Sequence, residues 1–473
     1  MKKILSLALS FLILLSLCAC AGNGGGNTQT EPAAAKTLQV GYGREAIMPT
    51  VPTHLSGGSD ANRIHTGVLD TLYVTCIAIT DAADQTVLIY TQDLQSTVGK
   101  VTDPVIQKVS VATGVPAENI LVAATHTHSA PTMQGNYPGV QEFQPVYSEG
   151  MIYAAKAAMN DRSPATVQVG STKADGYVFT RHYVLKDGSY AGNSYGDLQD
   201  LLIEKHTYDA DTTIQLVQFV REGKKNVVMM NLGIHPTFNG SASLLNISAD
   251  APSSIREHIE MNTDTLVAYF MAPAGDQVTN SHYAPLKHDL DYKAYGQKVG
   301  QLVVDAIGGL QSIPQGNLTL KHFTFTGTCN LSGLERLDEA KTLYNTFLKE
   351  GYAASNPLAK AAGFESIYEV RAIVNRAGLP DSQDIRLAAM TLGELSFIFA
   401  SFEMFGDTGR YIRENSPFEN TFIITQAMDT YSYIPSDIGF EVGCYEAYAS
   451  KFEKGTAGKI ADAFIDTLKS MKG

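Results

Sequence analysis

From Thr37 onward, short apolar runs alternate with turn-forming Gly, Pro, Asn and Asp residues, and the spacing changes from strand-like to helix-like along the way. Residues 37–44 read as a strand running into a Gly-bearing turn. Residues 73–80 and 87–94 read as two strands of a hairpin. Val105, Val109 and Ala112 carry helical spacing over residues 101–113, and residues 116–122 lead into a buried strand. An alanine-rich helix is expected over 147–159 and a strand over 176–188. Residues 213–220 and 226–237 form a strand pair around Arg221-Glu222-Gly223-Lys224-Lys225. A helix at 253–261, a strand that runs into a Gly-Asp turn over 267–280, a strand over 395–405 and a closing helix at 459–471 complete the pattern. Strands interleaved with helices predict a mixed α/β (α+β) fold of layered mixed β-sheets flanked by helices, in one large domain over residues 37–473.

The amino end reads differently. Lys2-Lys3 precede an apolar stretch from Ile4 to Leu17, and Leu17-Cys18-Ala19-Cys20 has the form of a bacterial lipoprotein signal. Cys20 is the better lipidation site, because cleavage there follows the small Ala19. Residues 21–36 lack periodicity and read as a flexible linker. These features predict export and a lipid anchor to the outer face of the membrane at the bacterial cell surface. The formal charge of −13, with no Lys/Arg-dense face, argues against a nucleic-acid partner. Beyond the leader, Cys76, Cys329 and Cys444 show no close spacing and read as isolated core thiols. Nothing in the sequence addresses oligomeric state.

Candidate chemistry gathers where apolar runs end. Thr125-His126-Thr127-His128 follows the strand at 120–122, and on an extended backbone residues i and i+2 point to one side, so both imidazoles would aim at one point. A satisfied imidazole at a strand exit is the plainer reading. His235 ends a strand at Pro236, either as a core residue or as a ligand. Arg181 lies among apolar strand residues and needs an anion to face, whether a substrate oxygen or a carboxylate. Asp93 reads as a turn cap or a polar group near the site. Asp250 is open between a helix cap and the site. Glu403 closes an apolar strand, where an unpaired carboxylate is expensive.

The order THTHS, Arg181, IHPT, SAD, GDxxxN, SxE and YxP…YE, with Val40-Gly41-Tyr42-Gly43-Arg44-Glu45 at the start, resembles the neutral/alkaline non-lysosomal ceramidase family in its amino-terminal catalytic domain. The resemblance implies a zinc ion held by His126, His235, Glu403 and Tyr433, with Tyr431 two residues from the last. It also implies catalytic roles for His128, Arg181 and Tyr433. His128, titrating near neutral pH by nature, would carry the proton, while Arg181 and Tyr433 would face the oxyanion. Asp250, Asp276, Thr279 and Tyr431 would line the substrate. The implied reaction is hydrolysis of an amide bond in a small amphiphilic, N-acylated substrate by an activated water.

Two departures bear on substrate. The family hexapeptide GDVSPN is here Gly275-Asp276-Gln277-Val278-Thr279-Asn280, so a serine mechanism requires Thr279 as substitute. The chain also ends at Gly473, ahead of the carboxy-terminal β-sandwich that such ceramidases carry. Both turn the expectation from ceramide toward another N-acyl amide. The alternatives are a zinc esterase or phosphatase on the same fold, and a non-catalytic surface lipoprotein that binds an amphiphile or glycan.

Overall fold

A computed structural model describes residues 37–57, 63–192, 200–240 and 244–472. The leader, the linker and Cys20 lie outside the described residues. The largest sheet has nine strands. Those introduced first are β1 (Gln39–Ala46), β2 (Tyr73–Thr80), β3 (Thr86–Gln92) and β4 (Ile120–Ala124), then β5 (Ser163–Lys173). The hairpin expected from residues 73–94 is the antiparallel β2/β3 pair. Two short strands, β6 (Phe179–Thr180) and β7 (His182–Leu185), stand apart from this sheet, which continues through β8 (Thr213–Arg221), β9 (Asn226–Leu232) and β10 (Thr265–Met271). Its order is β10-β9-β8-β5-β1-β2-β3-β4, with β11 (Gln311–Ile313) beside β5. β4 and β10 run parallel to their neighbours. The sheet folds back on itself, since the Thr91 hydroxyl on β3 donates to the Tyr269 carbonyl on β10 at 2.5 Å.

Both faces of this sheet are covered, and the strand alternation shows it. On β2, Ile77 and Ile79 point into the inner core while Cys76 and Ala78 point to the helices outside. Those helices are α1 (Gly99–Thr113) and α2 (Val140–Asn160). α2 begins seven residues before the expected 147, with Pro145 inside it. The proline removes one hydrogen bond, and burial of Phe143, Tyr147 and Met151 on the same face outweighs that loss. α2 lies so close to β1 that a Cβ on Gly43 would stand 2.1 Å from the Ala154 carbonyl oxygen. α3 (Asp250–Asn262) and α4 (Tyr292–Ile307) cover the other half of the sheet.

The inner face packs on a second sheet, formed by β12 (Leu318–Thr328), β13 (Ser382–Leu392), β14 (Leu395–Ala400) and β16 (Asn420–Ile424). Phe270 of β10 meets Phe422 of β16 edge-on at 6.3 Å between ring centroids. The closing helix α8 (Thr456–Lys472) covers the outer face of this sheet through Ile460, Phe464 and Leu468. Helix, sheet, sheet, helix is the layered mixed architecture anticipated from the pattern. Three helices between β12 and β13, α5 (Leu337–Glu350), α6 (Tyr352–Ala361) and α7 (Ile367–Arg376), share a small core of their own around Phe347, Ile367 and Ile373. Cys76, Cys329 and Cys444 are free and buried. Among the described residues no helix is long and apolar enough to cross a membrane.

Asp93 caps a backbone N–H, that of Tyr73 at 3.0 Å, and is chiefly an ion-pair partner. Both oxygens of its carboxylate accept from Arg256 of α3 at 2.7 Å, a buried ion pair that clamps the end of β3 to that helix.

Candidate metal centre

The site sits where the parallel strands at the two edges of the large sheet end. β4 stops at Ala124, and backbone bonds from Thr125 to the Gln92 carbonyl and from His126 to the Leu94 carbonyl hold the exit. His126 has φ +69°, a left-handed conformation uncommon for a residue with a Cβ. The extended i, i+2 geometry inferred from sequence therefore does not occur. The backbone turns at His126 instead, and the two imidazoles meet edge-on with Nε2 atoms 3.3 Å apart. His235 follows β9 and brings its Nε2 to 3.3 Å from that of His126.

The hydrogen bonds settle which ring nitrogens carry protons. Nδ1 of His126 faces the Gln95 carbonyl at 2.6 Å, Nδ1 of His235 the Ala274 carbonyl at 2.8 Å, and Nδ1 of His128 the Gly57 carbonyl at 3.1 Å. Carbonyl oxygens only accept, so each Nδ1 donates and each neutral ring presents a lone pair at Nε2. Burial lowers the pKa of His235 to about 4, with Arg181 adding to the effect. Burial also holds His128 well below the ordinary imidazole value, aided by His126 and His235. The near-neutral titration expected of His128 is thus displaced downward, and the ring is in its base form at neutral pH.

Glu403 and Tyr433 complete the cluster. β15 (Glu403–Met404) pairs in parallel with β17 (Tyr433–Ile434), with Glu403 opposite Tyr433. Glu403 Oε2 stands 3.4 Å from His126 Nε2 and 3.2 Å from His235 Nε2, and Tyr433 OH stands 3.3 Å from His235 Nε2. Burial works against a charge on Glu403, so its carboxylate needs positive charge beside it. Glu403 Oε2 receives no hydrogen bond. With the rings neutral, two lone pairs and a carboxylate oxygen converge, which repels unless a cation occupies the centre. An ion bonded tetrahedrally at 2.0–2.1 Å spaces its ligand atoms about 3.3–3.4 Å apart, close to the separations seen here. The donor set fits a divalent metal.

Arg181 reaches this cluster from the short link between β6 and β7. β6 pairs with Gln277–Val278, and Arg181 N donates to the Asp276 carbonyl at 2.9 Å. Its Nη2 lies 3.1 Å from Tyr433 OH, 2.6 Å from the Gly275 carbonyl and 2.6 Å from Glu446 Oε1. The arginine is thus paired with a carboxylate, and it also faces the Tyr433 phenol. Glu446 also takes His182 Nε2 at 2.8 Å, and His182 Nδ1 contacts Tyr208 OH at 2.9 Å. Burial opposes the charge of Glu446, but Arg181 and His182 overcome it and depress the carboxyl below the carboxylate range. Tyr445 stands edge-on to Tyr433 with centroids 5.9 Å apart. Glu446, His182 and Tyr445 were legible only as parts of polar strand and turn motifs, with no local signal of their role.

The remaining candidates are less central. Asp276 is buried; Oδ1 accepts from Gly406 N at 2.8 Å and Oδ2 has no partner. Burial, with Asp407 adding, pushes its pKa up to about 6. Thr279 is buried, its carbonyl facing His288 Nε2 at 2.9 Å. Asp250 has φ +56° as the first residue of α3 and accepts from Asn239 N and Ala251 N, so its carboxylate organises the Asn239 loop. Tyr431 points elsewhere, its ring packing on Phe452 beneath the second sheet. Of the two tyrosines, only Tyr433 is placed at the histidine–glutamate cluster.

The sequence profile described as neutral/alkaline non-lysosomal ceramidase, N-terminal, matches residues 38–276. The chain belongs to this family. Its fold is similar to the neutral ceramidase of Pseudomonas aeruginosa, with a TM-score of 0.68 and 16% identity over 92% of this chain and 74% of that one. A ceramidase structure described as complexed with C2 gives a TM-score of 0.68 and 15% identity over 92% of this chain and 75% of that one. No curated protein sequence is significantly similar to this ceramidase-family chain.

Proposed function

We propose that this ceramidase-family chain is a zinc-dependent hydrolase that cleaves the amide bond of an N-acylated substrate. The observation that carries the reading is the convergence of His126 Nε2, His235 Nε2 and Glu403 Oε2, at 3.2–3.4 Å from one another. The ligand set would be His126, His235, Glu403 and the Tyr433 phenol, whose chemistry suits zinc. When bound, the ion supplies a Lewis acid that acidifies water and polarises an amide carbonyl.

The protein's own groups supply the rest. His128, half-buried and neutral, offers Nε2 as the proton acceptor while the Gly57 carbonyl fixes its tautomer. Once protonated, an imidazole of depressed pKa is a strong acid and returns the proton to the leaving amine. Arg181 and the Tyr433 hydroxyl place donors where oxyanion charge develops. Glu446 keeps the guanidinium in position. Val278 stands in a strand opposite Phe179, so no serine side chain is available there as a nucleophile. The lipoprotein-type leader supports a companion reading, in which the enzyme is exported and tethered through Cys20 to the cell surface.

Metal analysis of the purified protein, with a panel of N-acyl amides, acyl esters and phosphate esters, tests the proposal. The expected result is about one equivalent of zinc and preferential amide cleavage. Less than about half an equivalent, or cleavage of phosphate esters alone, overturns it.

A further inference from the structure

A cavity of about 320 Å³ lies between α7 and the segment that carries Tyr445, and its wall includes Arg371, Arg376 and Lys451 but no Asp or Glu. Among the described residues, none of these three cations has a carboxylate within ion-pair distance. Arg376 is only 6% exposed. Its Nη1 goes to the Ser332 carbonyl and hydroxyl at 3.2 and 3.0 Å, its Nη2 to the Tyr448 carbonyl at 3.0 Å, and its Nε has no partner. Glu369, on the same helix, is engaged by Glu365 N at 2.7 Å and is not part of the wall. Cations without a paired carboxylate in a partly buried cavity are costly unless an anion joins them.

The cavity adjoins the metal centre. Ser432 and Tyr445 form part of its wall, Ser432 directly precedes Tyr433, and Tyr445 stands 5.9 Å from the Tyr433 ring. Two limbs leave the scissile amide of an N-acyl substrate. The apolar acyl limb is disfavoured beside three cations, whereas guanidinium groups match carboxylate and phosphate oxygens.

We propose that this cavity receives an anionic group, carboxylate or phosphate monoester, on the amine limb of the substrate, which makes the enzyme selective for charged N-acyl amines over neutral ones. The proposal rests on the amidase reading above, and the test separates the two. N-lauroylglycine, N-lauroyl-O-phosphoethanolamine and neutral N-lauroylethanolamine share one acyl chain; kcat/KM is measured for each, and binding of the phosphate probe is followed by calorimetry. An anionic probe is expected to exceed the neutral one by about tenfold or more, the two anionic probes showing which oxyanion is preferred. In Arg371→Ala/Lys451→Ala the preference should vanish while kcat/KM for the neutral probe stays within about twofold, and Arg371→Lys should restore part of it. If the double variant does not fold, Arg371→Ala alone carries the comparison. Equal cleavage of all three probes by the wild type, or a preference that survives the substitutions, overturns the cavity's role and leaves the amidase reading standing. Charge-dependent binding of the phosphate probe without cleavage of any amide sinks the amidase reading and leaves the anion site; neither binding nor cleavage sinks both.

Discussion

Glu403 and Tyr433 face each other across the two-residue parallel ladder of β15 and β17, and both polar ends reach His235 Nε2, at 3.2 and 3.3 Å. One backbone pairing thereby delivers a carboxylate and a phenol, thirty residues apart in sequence, to the same imidazole. Replacing Glu403 by Gln keeps the shape and removes the charge that balances a cation. Glu403→Gln should therefore purify with little metal while keeping its fold, as should His126→Ala and His235→Ala. Elemental analysis beside circular dichroism reads both quantities.

His128 shares the cluster but belongs to the proton-transfer step. His128→Ala should retain most of its metal and lose turnover by about 10²–10⁴-fold. Near-wild-type rates in this variant would remove the base assignment.

The position of His128 is set by close backbone approach. A Cβ added at Gly240 would stand 2.7 Å from the His128 Cβ, so the imidazole must move to accommodate it. Gly240→Ala should lower kcat by about 10²-fold, the scale of a displacement near 1 Å, with metal content unchanged. A variant with wild-type kcat would mean that the ring's placement is not critical.

Arg181 and Glu446 form a buried pair, with side chains 8% and 1% exposed. Glu446→Gln leaves a buried guanidinium without its counter-charge, a loss of about 3–5 kcal/mol, visible as a lower melting temperature. The depressed carboxyl of Glu446 also fixes the sign of its pH dependence. Its stabilisation is present above the ordinary glutamate pKa and is lost as pH falls through the depressed value, so acid should destabilise the wild type more than Glu446→Gln.

Asp276 behaves oppositely. Its pKa rises from 3.8 to about 6, so its contribution to stability is fully present below pH 3.8 and is lost as pH rises through 6. The penalty at neutral pH is about 3 kcal/mol. Asp276→Asn keeps an acceptor for Gly406 N and removes the charge. Relative to wild type, its stability should climb between pH 4 and 7 in thermal or urea unfolding, and a flat difference would count against this account.

Much of this protein is written locally. Alternating apolar positions such as Val74, Cys76, Ile77 and Ile79 mark strands because side chains on an extended backbone alternate between two faces, and here both faces are buried. Strand ends at Ala124 and Leu232 are visible because polar and turn-forming residues follow at once. The motif order from His126 to Glu446 is enough to suggest the family. Those are properties of neighbours in sequence. The left-handed turn at His126, the Asp93–Arg256 clamp, the choice of Tyr433 over Tyr431 and the partnership of Arg181 with Glu446 are not. Each joins groups far apart along the chain or follows from the path the backbone must take between packed sheets. Which lone pairs share a centre, and which charges are left for a ligand to neutralise, is decided only when burial removes water as the alternative partner.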